Sequence, residues 1–148
     1  MARLTWAAAM LAVAMAAPVA GETPTIDGKP DFSGKWQVEG NNSQTWVIEQ
    51  APDSIYIRKF TSADETQTDL RCGVRGKECS GRVDGDDAKV VFYYNGPTLV
   101  QMTTQGKNVR KTRRTLSEDG QRITVDLISF VPAGKPQTLV LVRASQGA

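Results

Sequence analysis

The chain has 148 residues, 18 of them Lys or Arg and 16 Asp or Glu, and its formal net charge of +2 leaves no dominant basic face for general nucleic-acid binding. It contains no histidine and only two cysteines, which closes the usual histidine-based nucleophilic triads and the common zinc and haem sites.

Residues 1–20 read as a secretory signal. Met1-Ala2-Arg3 supplies one positive charge, an apolar stretch runs from Trp6 to Ala17, and small residues crowd the exit at Ala14, Ala16, Ala17, Ala20 and Gly21. The apolar run falls short of the about 20 residues a spanning helix needs, and it has no polar face. No second run is long enough to cross a membrane, so the expectation is a soluble mature domain without membrane insertion. The alanine-rich signal has a bacterial look, which places that domain in the periplasm or outside the cell. Residues 21–31 hold two prolines and two glycines and show no periodicity, so they read as a flexible lead-in.

From Ser33 the pattern changes to short segments of period two. Lys35–Glu39 carries Trp36 and Val38 on one face, Thr45–Gln50 carries Trp46 and Ile48, and Ser54–Phe60 carries Ile55 and Ile57. Gly40-Asn41-Asn42-Ser43 and Ala51-Pro52-Asp53-Ser54 are turn signals between them. The polar stretch 61–88 contains Thr66–Cys72 and Cys79–Val83, a candidate hairpin. Beyond the Asp84-Gly85-Asp86-Asp87 turn come Val90–Tyr94, Thr98–Thr104 with Val100 and Met102 on one side, Asn108–Leu116, Arg122–Phe130 and Thr138–Arg143, with residues 145–148 as a frayed tail. No stretch has a capped 3.6-residue stripe.

Tight turns make consecutive strands antiparallel neighbours, and closure removes the exposed edges of so long a sheet. The expected fold is therefore all-β: a single antiparallel up-and-down barrel of about eight strands over residues 32–144, with a two-sheet sandwich as the alternative. Phe92, Tyr94, Trp46 and Met102 are the candidate cavity-lining side chains; if all of them point inward together with Trp36, they fill a small barrel.

Cys72 and Cys79 are an isolated even pair in a chain with an export signal, and two glycines between them loosen the loop. They read as a structural disulfide closing a ring of about eight residues, which the chain-entropy argument values at roughly 2.5 kcal/mol. The most unusual feature is the basic run Lys107, Arg110, Lys111, Arg113 and Arg114. In a strand, Arg110 and Arg114 share one face, and Lys111 and Arg113 the other. Either the run is an exposed edge guarded by charge, or one pair points inward and meets a carboxylate or an anionic ligand. Asp84, Asp86 and Asp87 form the densest acidic cluster, on a turn where Asp and Gly serve the backbone.

Pro30-Asp31-Phe32-Ser33-Gly34-Lys35-Trp36 resembles the opening of a lipocalin-type (calycin) barrel, which places Gly-x-Trp at the head of its first strand. The resemblance implies a basic residue late in the barrel lying across that tryptophan as a lid, and Arg143 is the matching candidate. It also implies a barrel that holds a small apolar or amphiphilic molecule, and the residue inventory, with no histidine and no catalytic constellation, points to neither catalysis nor a cofactor. The alternative function is a secreted protein-interaction module such as a hydrolase inhibitor. An open apolar cavity would favour the first reading, a filled barrel the second.

Overall fold

The computed structural model describes residues 23–144; the expected signal, residues 1–20, and the expected frayed tail, residues 145–148, lie outside the described residues. Twelve strands and no helix occur among the described residues. A two-residue hairpin, β1 (Thr25–Ile26) and β2 (Lys29–Pro30), comes first. The lead-in thus contains an ordered element. Asp27 and Gly28 both take positive φ, 52° and 75°, the Asp-Gly turn that favours a tight hairpin.

Ten strands then form one closed antiparallel barrel: β3 (Gly34–Val38), β4 (Asn41–Gln50), β5 (Ser54–Thr61), β6 (Thr66–Gly73), β7 (Arg75–Val83), β8 (Asp86–Asn95), β9 (Thr98–Gln105), β10 (Asn108–Leu116), β11 (Arg122–Val131) and β12 (Gln137–Arg143). Every strand pairs with the next, and β12 returns to β3 through Leu141–Val38, Val142–Gln37 and Arg143–Trp36. The fold is an antiparallel up-and-down barrel. Its ten strands replace the expected eight, and the sandwich is ruled out by closure. Closure also corrects the edge-strand reading of the basic run, because β10 is paired on both sides, with β9 and with β11.

The interior divides into two halves. At one end, Phe32, Trp36, Ile48, Phe92, Leu99 and Ile123 are completely or almost completely buried and fill the barrel. The β1–β2 hairpin lies across this end. Asp31 N donates to Pro24 O, Phe32 N donates to the Gln50 side-chain oxygen, and Gln50 Nε2 donates to both Pro30 O and the Tyr94 hydroxyl. Lys29 stands 4.5 Å over the Tyr94 ring. Burial, with the Asp31 carboxylate adding to it, pushes the Tyr94 hydroxyl up to about 12, so it stays protonated in this network. The other end, ringed by the turns after β5, β7, β9 and β11, is hollow.

Cys72 and Cys79 form a disulfide between β6 and β7, with Cα atoms 5.7 Å apart. It crosses the β6–β7 seam, where Asp69–Arg82 is the single ladder pair, and both cysteines pack on the core. At Gly81 the strands press together so closely that a Cβ would collide with Asp69 O and the Leu70 side chain.

Candidate functional site

The hollow half encloses a cavity of about 460 Å³, within the range that accommodates one small ligand. One wall is apolar: Trp46, Leu70, Val83, Val125, Leu139 and Leu141. The facing wall is polar and comes from β9 and β10. In β9 the inward positions are Leu99, Gln101 and Thr103, while Val100 and Met102 point outward. Val100 pairs with Tyr93 and Arg113, and Met102 with Val91 and Lys111. In β10 the inward positions are Arg110, Thr112, Arg114 and Leu116.

Arg114 is the centre of the site. Its residue is only 4% exposed, and its Nη1 donates to Gln101 Oε1 at 2.8 Å. Gln101 in turn donates from Nε2 to Thr103 Oγ1 at 2.8 Å. No carboxylate forms an ion pair with Arg114 among the described residues. Burial pushes its guanidinium down to about 10, so it remains a cation at neutral pH, held at a desolvation cost. The Trp46 indole nitrogen is also buried, and it finds no acceptor among the described residues.

Two further cations flank the cavity. Lys59 is buried, stands 5.0 Å from the Trp46 ring centre, and makes an ion pair with Asp84, which sits at positive φ in the β7–β8 turn. Arg110 donates to the Gln105 side chain, which donates to Val83 O. Lys111 and Lys135 reach the mouth. Asp84 is the sole acidic residue lining the cavity, and Lys59 already holds it.

The remaining candidates are placed as follows. Of the four proposed cavity-lining side chains, Trp46 lines the cavity. Phe92 belongs to the filled half, Tyr94 closes the plugged end through Gln50, and Met102 is on the outer face because it has the opposite strand parity to Gln101. Arg113 also faces outward, opposite Asp126 and Val100, while the bulge at Val109/Arg110 brings Lys111 to the rim. Arg143 lies 4.3 Å from the centre of the Trp36 ring. Its Nη1 donates to Ser33 O and its Nε to Gly120 O, both at 3.1 Å. Trp36 Nε1 donates to Phe32 O. The residues that sequence reasoning missed are Gln101, Thr103, Thr112 and Lys59. For the first three the signal was the polar residues at alternate positions of the adjacent strands β9 and β10; Lys59, on β5, had no such signal.

No protein-family model matches this sequence, and no curated protein matches it. Solved structures do share its shape. A secretory abundant heat soluble (SAHS) protein from Ramazzottius varieornatus is similar with a TM-score of 0.60 and 10% identity, over 76% of this chain and 94% of that one. An asparagine-to-alanine variant of the fluorescent protein UnaG is similar with a TM-score of 0.61 and 16% identity, over 78% of this chain and 97% of that one. At such identities the likeness is one of fold.

Proposed function

We propose that this protein is an exported carrier or scavenger of a small amphiphile, whose acid group meets Arg114 and whose apolar part lies against Trp46, Leu139 and Leu141. The observation that carries this reading is a buried guanidinium with no carboxylate partner, facing a ligand-sized cavity. Natural interiors pair their buried charges, and an arginine fork suits a carboxylate or a phosphate. The ligand supplies the missing anion. The half-hollow barrel supports this reading over a protein-interaction module, because Phe32, Trp36 and Phe92 crowd one end and leave the other open. The disulfide supports export to an oxidising compartment. Binding involves no catalytic step.

A matched pair of probes tests it. Dodecanoate and dodecanol have the same chain and differ in the head. The wild-type protein is expected to bind dodecanoate at least tenfold more tightly in a calorimetric titration. Arg114→Gln is expected to abolish that preference and leave dodecanol binding within about twofold. Equal affinities in the wild type would remove the acid-group assignment, and no binding of either would remove the ligand reading.

A further inference from the structure

We propose that the open mouth of the barrel docks on an anionic phospholipid surface, with Phe130 and Val131 entering the headgroup region and Lys107, Lys111 and Lys135 meeting the lipid charge. The proposal goes beyond the ligand reading and does not take its evidence from Arg114.

Phe130 and Val131 are each 48% exposed, and they are the exposed large hydrophobic side chains among the described residues. They stand at the end of β11, where the chain turns towards β12. The turn is built rather than loose. Phe130 bridges to Ala133, the Ser129 hydroxyl donates to Pro132 O, and Gly134 N donates to Ser129 O. The register places the cations beside this tip. Val131 pairs with Val109, just past the β9–β10 turn that carries Lys107, and Ile128 pairs with Lys111. Lys135 follows within the same turn. None of Lys107, Lys111 and Lys135 has a carboxylate partner among the described residues.

Of the acidic residues of this end, Asp64 and Glu65 stand in the β5–β6 turn, Asp84 in the β7–β8 turn and Asp86 at the start of β8, while Glu39 in the β3–β4 turn is paired with Arg122. The rim is therefore polarised, with an apolar tip and its cations on the β9–β12 side and carboxylates on the β5–β8 side. An apolar wedge inside a cationic collar is the chemistry of an interfacial anchor. A second copy of the chain is a poor occupant, because a two-fold contact sets cation against cation. Two apolar side chains also fall far short of the about 800 Å² per partner that a stable protein interface buries. Gly134 and Lys135 line the cavity as well, so a docked mouth faces the bilayer from which an amphiphile would come.

The test is flotation of the exported, processed protein with two vesicle preparations: phosphatidylglycerol and phosphatidylcholine in equal parts, and pure phosphatidylcholine. All variants share one N terminus. Wild type is expected to bind the anionic vesicles at least tenfold more tightly, and to weaken at 0.5 M salt. The double substitution Phe130→Ser, Val131→Ser is expected to lower that affinity about tenfold, and Lys107→Gln and Lys135→Gln about fivefold each. Circular dichroism melting checks that each variant is folded. The two readings separate cleanly. Arg114→Gln is expected to leave vesicle binding intact, and Phe130→Ser, Val131→Ser to leave dodecanoate affinity in vesicle-free solution intact. Failure to bind anionic vesicles, equal binding to both preparations, or binding indifferent to the tip substitutions would overturn the proposal. A concentration-dependent dimer that Phe130→Ser, Val131→Ser dissolves would also overturn it, by giving the patch to a second copy.

Discussion

A buried charge without a counter-charge is a residue held against its own stability. Arg114 therefore sets a trade-off. Arg114→Met keeps the length and removes the charge, so the ligand-free protein is expected to gain about 1–3 kcal/mol in a urea titration while losing its preference for acids. The pH dependence follows from the same group. Above about pH 10 the folded protein holds the Arg114 proton less tightly than the unfolded chain, because burial pushes the guanidinium down to about 10. The unfolded state thus binds more protons in that window, and the cost of the buried charge fades as pH rises through about 10. Dodecanoate affinity is expected to be flat around neutrality. It falls below about pH 5, where the ligand's carboxylate takes up a proton, and falls again towards pH 10, where Arg114 loses its own. At the opposite end of the barrel, Gly34 has φ 144°, and a side chain there would run into the Arg143 guanidinium. The Gly-x-Trp opening is thus a steric fit as well as a stacking site. Arg143→Ala is expected to cost about 1–3 kcal/mol through the lost cation–π contact and the carbonyls of Ser33 and Gly120 left without a donor. Arg110→Ala, which releases one half-buried glutamine contact, is expected to cost under about 1 kcal/mol. Urea midpoints of the two variants beside wild type decide it.

At the scale of the elements, the β6–β7 seam relies on its cross-link more than any other pair of neighbours. Cys72→Ser, Cys79→Ser, or reduction of the intact protein, is expected to lower stability by roughly 2.5 kcal/mol, read as a shift of the urea midpoint with and without reductant. Most strands were legible because their inner faces are apolar: Ile55 with Ile57, Leu70 with Cys72, and Val90 with Phe92 mark the inside at every second residue. The strands that build the site were legible as strands but not by face. In β9 the apolar positions Val100 and Met102 are the outer ones and the polar positions Gln101 and Thr103 the inner ones, so an argument from hydrophobicity inverts them. The inversion is the mark of the site, since the polar groups of β9 face the cavity and the outer apolar pair is sheltered by Tyr93, Arg113 and Lys111. In β10 alternation put Arg110 and Arg114 together on one face, but a strand with charge on both sides gives no sign of which face is inner. That sign comes only from closure, through pairing with β9 and β11. The missed hairpin β1–β2 is too short for periodicity to reveal, and its Asp27-Gly28 turn was its single local signal. The ten period-two segments of the sequence correspond one to one with the ten barrel strands, so the tally of about eight fell short of its own segments; what the sequence misplaces is two starts, because Asn41-Asn42-Ser43 reads as a turn but begins β4, and because β7 starts at Arg75, inside the cysteine loop.

For the whole molecule, the barrel is closed by pairing residues a hundred positions apart, Trp36 with Arg143. Such long-range closure makes for slow folding, on the millisecond-to-second scale of other non-local β topologies. A ligand that binds the native barrel alone adds to its stability by mass action. Dodecanoate at a hundred times its dissociation constant is expected to add about 2.7 kcal/mol, visible as a raised urea midpoint that Arg114→Gln does not show. The division of the interior has a further consequence, for how such a protein changes over generations. Folding energy is concentrated where Phe32, Trp36, Ile48, Phe92 and Leu99 meet, and chemical selectivity at Trp46, Gln101, Thr103, Thr112 and Arg114, so the two are written at separate positions. A randomised library at the second set would return mostly folded proteins with altered tastes, whereas one at the first would return mostly unfolded chains. On the proposed carrier function, lineages built on this plan can thus exchange one cargo for another without passing through a broken ancestor.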